Sequence, residues 1–193
     1  MKPSAYCLFE TSLGWCGIAW REQSGRWVVS SLHLPDATAN LTEARISRAA
    51  GARQASPPPA DIVQVIERIR RHFQGELQDF RDVAVDLEGI GLFARRVYEA
   101  ARQILAGETR TYGEIAQALN LPGSAPAVGQ ALGRNPIGII VPCHRVLAAG
   151  GRPGGFSAYG GRTTKAKLLA IEGTDFRRPG QLSLISALAV RRD

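Results

Sequence analysis

The residues of this chain best suited to chemistry stand in a row, Pro142-Cys143-His144-Arg145-Val146, directly after the apolar run Ile137-Gly138-Ile139-Ile140-Val141. A cysteine beside an imidazole and a guanidinium sits among groups that stabilise the thiolate, the reactive form of its side chain. Cys143 is therefore the candidate nucleophile. The competing reading is a small core hydrophobe behind a buried strand, the commoner fate of a lone cysteine. If the apolar run continues as an extended strand, neighbouring side chains point to opposite faces, and Cys143 reaches His144 only across a bend or a bridging water. Cys7, Cys16, His33 and His72 are the residues to weigh as a zinc set, but their spacings fit no compact zinc pattern, so no metal is expected.

The elements that must position this row are legible on both sides of it. Apolar residues at Phe93, Val97, Ala100, Ala101 and Ile104 recur at helical spacing, and Gly107 closes that helix. Thr111-Tyr112-Gly113-Glu114 matches a capping box, with a hydroxyl at the cap and a carboxylate three residues on. The helix it opens runs through Ile115, Ala116 and Leu119. Leu121-Pro122-Gly123 is a turn, Ser124 can cap a helix through Ala127, Val128, Ala131 and Leu132, and Asn135-Pro136 stops it. Helix, short glycine turn and helix is the helix-turn-helix pattern, which helical hairpins without a ligand share. Upstream, Tyr6 to Phe9, Cys16 to Trp20 and Trp27 to Leu34 read as short strands, with Leu13-Gly14 and Ser24-Gly25 as turns. A short helix is expected from Leu41 to Ala50, stopped by Gly51. A second starts at Ala60, its apolar residues Ile62, Val65, Ile66, Ile69 and Phe73 covering the sheet. Val83, Val85 and Leu87 alternate as a last strand, and Glu88-Gly89-Ile90-Gly91 marks a joint between two domains.

Composition bounds the class. With 193 residues, 45% of them hydrophobic and 21% charged, the chain is expected to fold as a soluble globular protein of one or two domains. An odd count of three cysteines without CxxC spacing argues against a secreted disulfide framework. No signal-peptide run or membrane-length apolar stretch occurs, so a cytoplasmic protein, or a nuclear one in a source with a nucleus, is expected. The net charge of +7 is unevenly spread: residues 1–90 carry 10 Lys and Arg against 11 Asp and Glu, and the rest carry 14 against 6. Such an arginine-rich half suits a polyanion, although a solvated surface explains it equally well.

Taken together, the segment from Asn135 to Val146, Thr111-Tyr112-Gly113-Glu114 before it, and Gly155-Phe156-Ser157 with Glu172-Gly173 after it resemble the O6-alkylguanine-DNA alkyltransferases. The likeness is dense from about Phe93 to Gly173 and looser upstream. It implies a mixed α/β (α+β) fold: a ribonuclease-H-like α/β domain over 1–90, and a mainly helical, winged-helix-like domain with the helix-turn-helix over 91–175. A tail of unassigned role follows over 176–193. It also implies DNA repair, in which the protein flips an O6-alkylated guanine out of the duplex and takes the alkyl group irreversibly onto Cys143, once per molecule. O4-methylthymine would be a weaker substrate. The partner is duplex DNA, the protein is a monomer, and no cofactor or membrane is involved. In this assignment His144 is the base, acting through a water, and Glu172 orients it. Asn135 fixes the turn before the cysteine, and Tyr112 assists extrusion and the departing base. Pro126, Ala127, Gly129, Arg134, Arg145, Val146, Phe156 and Ser157 contact DNA or the base, under a loop containing Gly154, Gly155, Gly160 and Gly161.

Two positions depart from the family pattern. Pro126 occupies the place of the intercalating arginine, so no cation fills the gap left by a flipped nucleotide, and Phe156 stands where many members carry tyrosine. Proline is tolerated in a first helical turn, so the helix itself should form. A lesion-binding or regulatory module without transfer is therefore the alternative reading, and the retained Cys143 argues against it. A cysteine hydrolase built from Cys143, His144 and Asn135 is a remoter one.

Overall fold

The computed structural model describes residues 4–52 and 56–174, so the tail over 176–193 lies outside the described residues. Three strands, β1 (Ala5–Thr11), β2 (Gly14–Gln23) and β3 (Arg26–His33), form an antiparallel meander in the order β1-β2-β3. The β2–β3 hairpin turns on Ser24 and Gly25, both at positive φ (51° and 75°), the conformation that matches the twist of paired strands. Tyr6 lies opposite Ala19 and Phe9 opposite Cys16, which separates the two faces of the sheet by residue parity.

Each face has its own helix. Helix α1 (Ala39–Ala50) starts at Thr38, whose side chain accepts the Leu41 N–H, and ends at Gly51 in the left-handed region (φ 64°). It buries Ile46 and Ala50 against Tyr6 and Ala19. Helix α2 (Ala60–Phe73) lays Ile62, Val65, Ile66, Ile69 and Phe73 on the opposite face, against Phe9, Cys16, Ile18 and Trp20. Covered on both sides, β2 is buried without alternation from Cys16 to Arg21. The expected strand through Val83, Val85 and Leu87 is instead a single parallel bridge, Val29 to Val85. Arg21 of β2 pins this segment by pairing with Asp86 at 2.7 Å and with Glu88.

The remaining elements are α3 (Leu92–Arg102), β4 (Arg110–Thr111), α4 (Tyr112–Ala118), α5 (Ala125–Gly133), β5 (Val146–Leu147) and α6 (Arg162–Ile171). Helices α4 and α5 are the expected helix-turn-helix, opened by the expected capping box: Glu114 N–H donates to the Thr111 hydroxyl at 3.1 Å, and Thr111 N–H to the Glu114 carboxylate at 2.6 Å. Ser124 precedes α5 as expected, but its side chain makes no capping bond. Helix α3 is tied to α5 by the buried Tyr98, whose hydroxyl donates to the Ala131 carbonyl at 3.0 Å. One continuous core joins the sheet residues Ile18 and Trp20 to Val97, Val128, Ile139 and Leu168. The mixed α/β class expected from sequence is the one observed.

The segment leading to the cysteine corrects the sequence reading. Ile137 makes only one parallel bridge to Leu32, and the chain then turns, with Ile139 at φ 67°. That conformation is strained for a β-branched residue, at a cost on the order of 1–3 kcal/mol. Two restraints hold it: Ile139 is buried in the core, and Asn135 clamps the turn from both ends, donating from Nδ2 to the Val141 carbonyl at 2.8 Å and accepting the Ile137 N–H at 3.0 Å. Cys143, His144 and Arg145 then form a single 3-10 turn rather than a strand.

Candidate active site

The 3-10 turn decides where the three polar side chains go. Cys143 is partly exposed, whereas His144 and Arg145 point into the molecule. Cys143 lines a cavity of about 760 Å³ with Tyr112 from α4, Pro126 and Gly129 from α5, and Phe156 and Ser157 from the loop before α6. Most of its polar atoms belong to backbone, Tyr112 and Ser157, and its walls are largely apolar, a composition suited to a flat ring with few polar edges. Tyr112 stands between Gly129 and Gly154. A Cβ on Gly154 would come within 2.9 Å of the phenol oxygen, and Gly154 sits at φ 67°, so both space and backbone require glycine there.

Behind the cysteine lies a buried polar cluster centred on Glu172, the residue that ends α6. His144 Nε2 is 3.0 Å from Glu172 Oε1, and Arg145 spans the carboxylate, with Nε 3.0 Å from Oε2 and NH2 2.7 Å from Oε1. Arg145 also donates from NH1 to the Ile104 carbonyl at 2.5 Å. Since Glu172 is the acceptor, the proton of neutral His144 resides on Nε2, leaving a lone pair on Nδ1. That Nδ1 is buried and has no hydrogen-bond partner among the described residues. Burial pushes the Glu172 carboxyl up, but His144 charge and the hydrogen bonds from His144, His72 and Arg145 outweigh it and hold the group well below the carboxylate range. Burial pushes the His144 imidazole down, against the pull of Glu172, so it rests neutral and able to take a proton.

The thiol itself is pushed up by burial, opposed by a hydrogen bond from Asn135, the charge of Lys165 and the N–H groups of Cys143 and His144. Cys143 therefore rests protonated and needs a base. Lys165 is fully buried on α6, donates from Nζ to the Val146 carbonyl at 2.6 Å, and lies 6.0 Å from the Tyr112 ring centre. Burial lowers its pKa to about 8, with Cys143 pulling the other way. Tyr112 is raised by burial and by the charge of Cys143, which keeps its phenol protonated and able to donate.

The structure brings Cys143, Tyr112, Pro126, Gly129, Phe156 and Ser157 to one cavity and sets His144, Asn135 and Glu172 behind it. Ala127 and Arg134 are exposed on α5 outside the cavity lining. Arg145 is not at the cavity, because its guanidinium is committed to Glu172 and Ile104. Val146 is also buried away from it, and its carbonyl is occupied by Lys165. Among the described residues no three His, Cys, Asp or Glu side chains converge on one point. The four residues weighed for zinc instead have separate settings: Cys7 and Cys16 are thiols raised by burial to about 11 and about 12, His33 meets Ser31, and His72 meets Glu172. Sequence reasoning missed Lys165 and misread His72. A histidine on the apolar face of α2, three residues after Ile69, was the available signal for the second.

Comparison with known proteins now bears on this geometry. Residues 92–174 match the family model described as 6-O-methylguanine DNA methyltransferase, DNA binding domain. The methylated-DNA–protein-cysteine methyltransferase of Mycobacterium bovis is 45% identical over 129 residues, 67% of this chain and 74% of that relative. The crystal structure of Mycobacterium tuberculosis O6-methylguanine methyltransferase superposes with a TM-score of 0.68 at 36% identity, covering 94% of this chain and 99% of that one. Mycobacterium tuberculosis OGT in complex with DNA superposes at 0.67 with 35% identity and the same coverage.

Proposed function

This chain belongs to the methylated-DNA–protein-cysteine methyltransferase family, and on that premise we propose that it repairs duplex DNA by moving the alkyl group of an O6-alkylguanine onto Cys143. The observation that carries the reading is a thiol at the floor of an apolar cavity whose neighbour, His144, is held by Glu172 with a free lone pair on Nδ1. The O6 carbon is inaccessible inside a stacked duplex, so the nucleotide must rotate out to enter the cavity. The arginine-rich second half and the helix-turn-helix supply the attachment to the backbone.

In the transfer, the Cys143 proton passes through an intervening water to His144 Nδ1, and the thiolate attacks the alkyl carbon. The S–C bond forms as the C–O6 bond breaks, and the electron pair leaves with guanine. Tyr112, kept protonated, donates to the departing base and limits the charge that builds there. Lys165 and Asn135 stabilise the thiolate before attack. The product is a thioether, a poor alkyl donor, so each molecule reacts once. The same reading takes 91–175 as the unit that binds and transfers and 1–90 as its scaffold, supported by a family match that begins at residue 92. The compartment proposed is that of the DNA itself: the cytoplasm, or the nucleus where there is one.

The test is intact-protein mass after incubation with a duplex carrying one O6-methylguanine. A single methyl should appear on the wild type and be absent in Cys143→Ser. An unchanged mass on a protein that binds the duplex would replace transfer with lesion recognition.

A further inference from the structure

Glu172 receives a donor that the transfer step described above does not use. Besides His144 and Arg145, its Oε1 lies 2.9 Å from Nε2 of His72, a residue of α2 that is 1% exposed. The tautomer of this second imidazole is fixed by its other edge. The Gln78 backbone N–H donates to His72 Nδ1 at 3.1 Å, so Nδ1 carries the lone pair and Nε2 carries the proton. A proton on Nδ1 would set two donors against each other. The ring is further held edge-on to Phe80, with centroids 5.5 Å apart.

The three donors to Oε1 are not equivalent in where they come from. His144 and Arg145 belong to the same 3-10 turn as Cys143, so they follow that turn wherever it goes. His72 comes from the helix that packs on the sheet, and it alone among the donors to Glu172 references the carboxylate to that face of the molecule. We propose that His72 is a positioning residue of the transfer site: its Nε2–H fixes Glu172 Oε1, and so fixes the ring of His144 with Nδ1 free to receive the Cys143 proton. This inference rests on the transfer reading given above. It also sets an acid limit. The charged or titratable groups around the carboxylate are His72, His144 and Arg145, with Cys143 and Lys165 on the cavity side. With one donor removed, Oε1 becomes a stronger acceptor for the His144 imidazolium. His144 then protonates at higher pH and stops accepting the thiol proton earlier as pH falls.

The experiment compares wild type, His72→Gln and His72→Phe in two rates across pH: methyl transfer from the O6-methylguanine duplex, and alkylation of Cys143 by iodoacetamide, with melting temperatures alongside. Glutamine places an amide N–H near the position of Nε2; phenylalanine keeps the ring packing and loses the donor. Expected are near-wild-type transfer in His72→Gln, a loss of about tenfold in His72→Phe, the worth of one hydrogen bond to a charged group, and an acid limb moved to higher pH in both rates for His72→Phe. Wild-type profiles in both variants would overturn the proposal. Equal slowing of both variants with unshifted pH profiles would also overturn it, leaving His72 a packing residue. If wild type takes no methyl while the iodoacetamide profiles still separate, the transfer reading fails and the role of His72 in placing Glu172 stands.

Discussion

Pro126 occupies the second position of α5, exposed at the mouth of the cavity that holds Cys143. A proline there is compatible with the helix, because the first-turn N–H it lacks has no intrahelical partner. It offers neither charge nor length to the space a flipped nucleotide leaves behind. Pro126→Arg is therefore expected to raise the rate of methyl transfer severalfold at limiting protein, read by mass against time. Equal rates would show that extrusion does not depend on this position. Lys165 poses a different question at the same scale. Its charge lies beside the thiol and its pKa is lowered to about 8, so its support for a thiolate is present below that pH and fades above it. Lys165→Met should slow alkylation of Cys143 by iodoacetamide near pH 7, with the gap to wild type narrowing as pH rises past 8.

At the scale of elements, the site depends on close approaches that side-chain volume would spoil. Gly17 on β2 lies directly under α1, and a Cβ there would meet the Ile46 Cβ at 2.8 Å. Ile46 is completely buried and its Cβ is fixed to the helix backbone, so the helix would have to lift. Gly17→Ala should cost about 1–3 kcal/mol of stability, measured by denaturant unfolding. This contact also separates what was readable from what was not. The strands, α1, α2 and the helix-turn-helix follow from periodicity, caps and turns within each segment, and they appear close to where those signals place them. The run 137–141 has the same apolar composition as a strand but becomes a turn, because Asn135 takes hydrogen bonds from both ends of it and the core accepts Ile139 in that conformation. Val83 to Leu87 likewise forms only a bridge, since its place beside β3 is held by the ion pairs of Arg21 rather than by a ladder.

At the scale of the whole molecule, the Glu172 cluster joins α2, the cysteine turn and α6 around one buried carboxylate. Its pKa is depressed in the folded state, so its contribution to stability is complete above the unfolded carboxyl value of about 4.3 and is lost as pH falls below it. Glu172→Gln should lower stability at pH 7 by about 3–5 kcal/mol, because Arg145 is left buried without its counter-charge. The variant should also show a weaker loss of melting temperature below pH 4 than wild type. The arginine-rich half makes a separate prediction about DNA: affinity for duplex should fall with salt, and Arg134→Ala, at the exposed end of α5, should reduce the log–log slope by about 1 if that arginine meets a phosphate. By itself the sequence determined the family, the nucleophile, the helix-turn-helix and the charge that faces DNA, since each is written in neighbouring residues or in a short spacing. Only the tertiary structure decided that Arg145 turns inward, that Lys165 stands beside the thiol, and that His72, 100 residues before Glu172, shares its carboxylate. Those contacts join segments far apart in the chain, and burial, which fixes which polar groups must find each other, exists only once the core has closed.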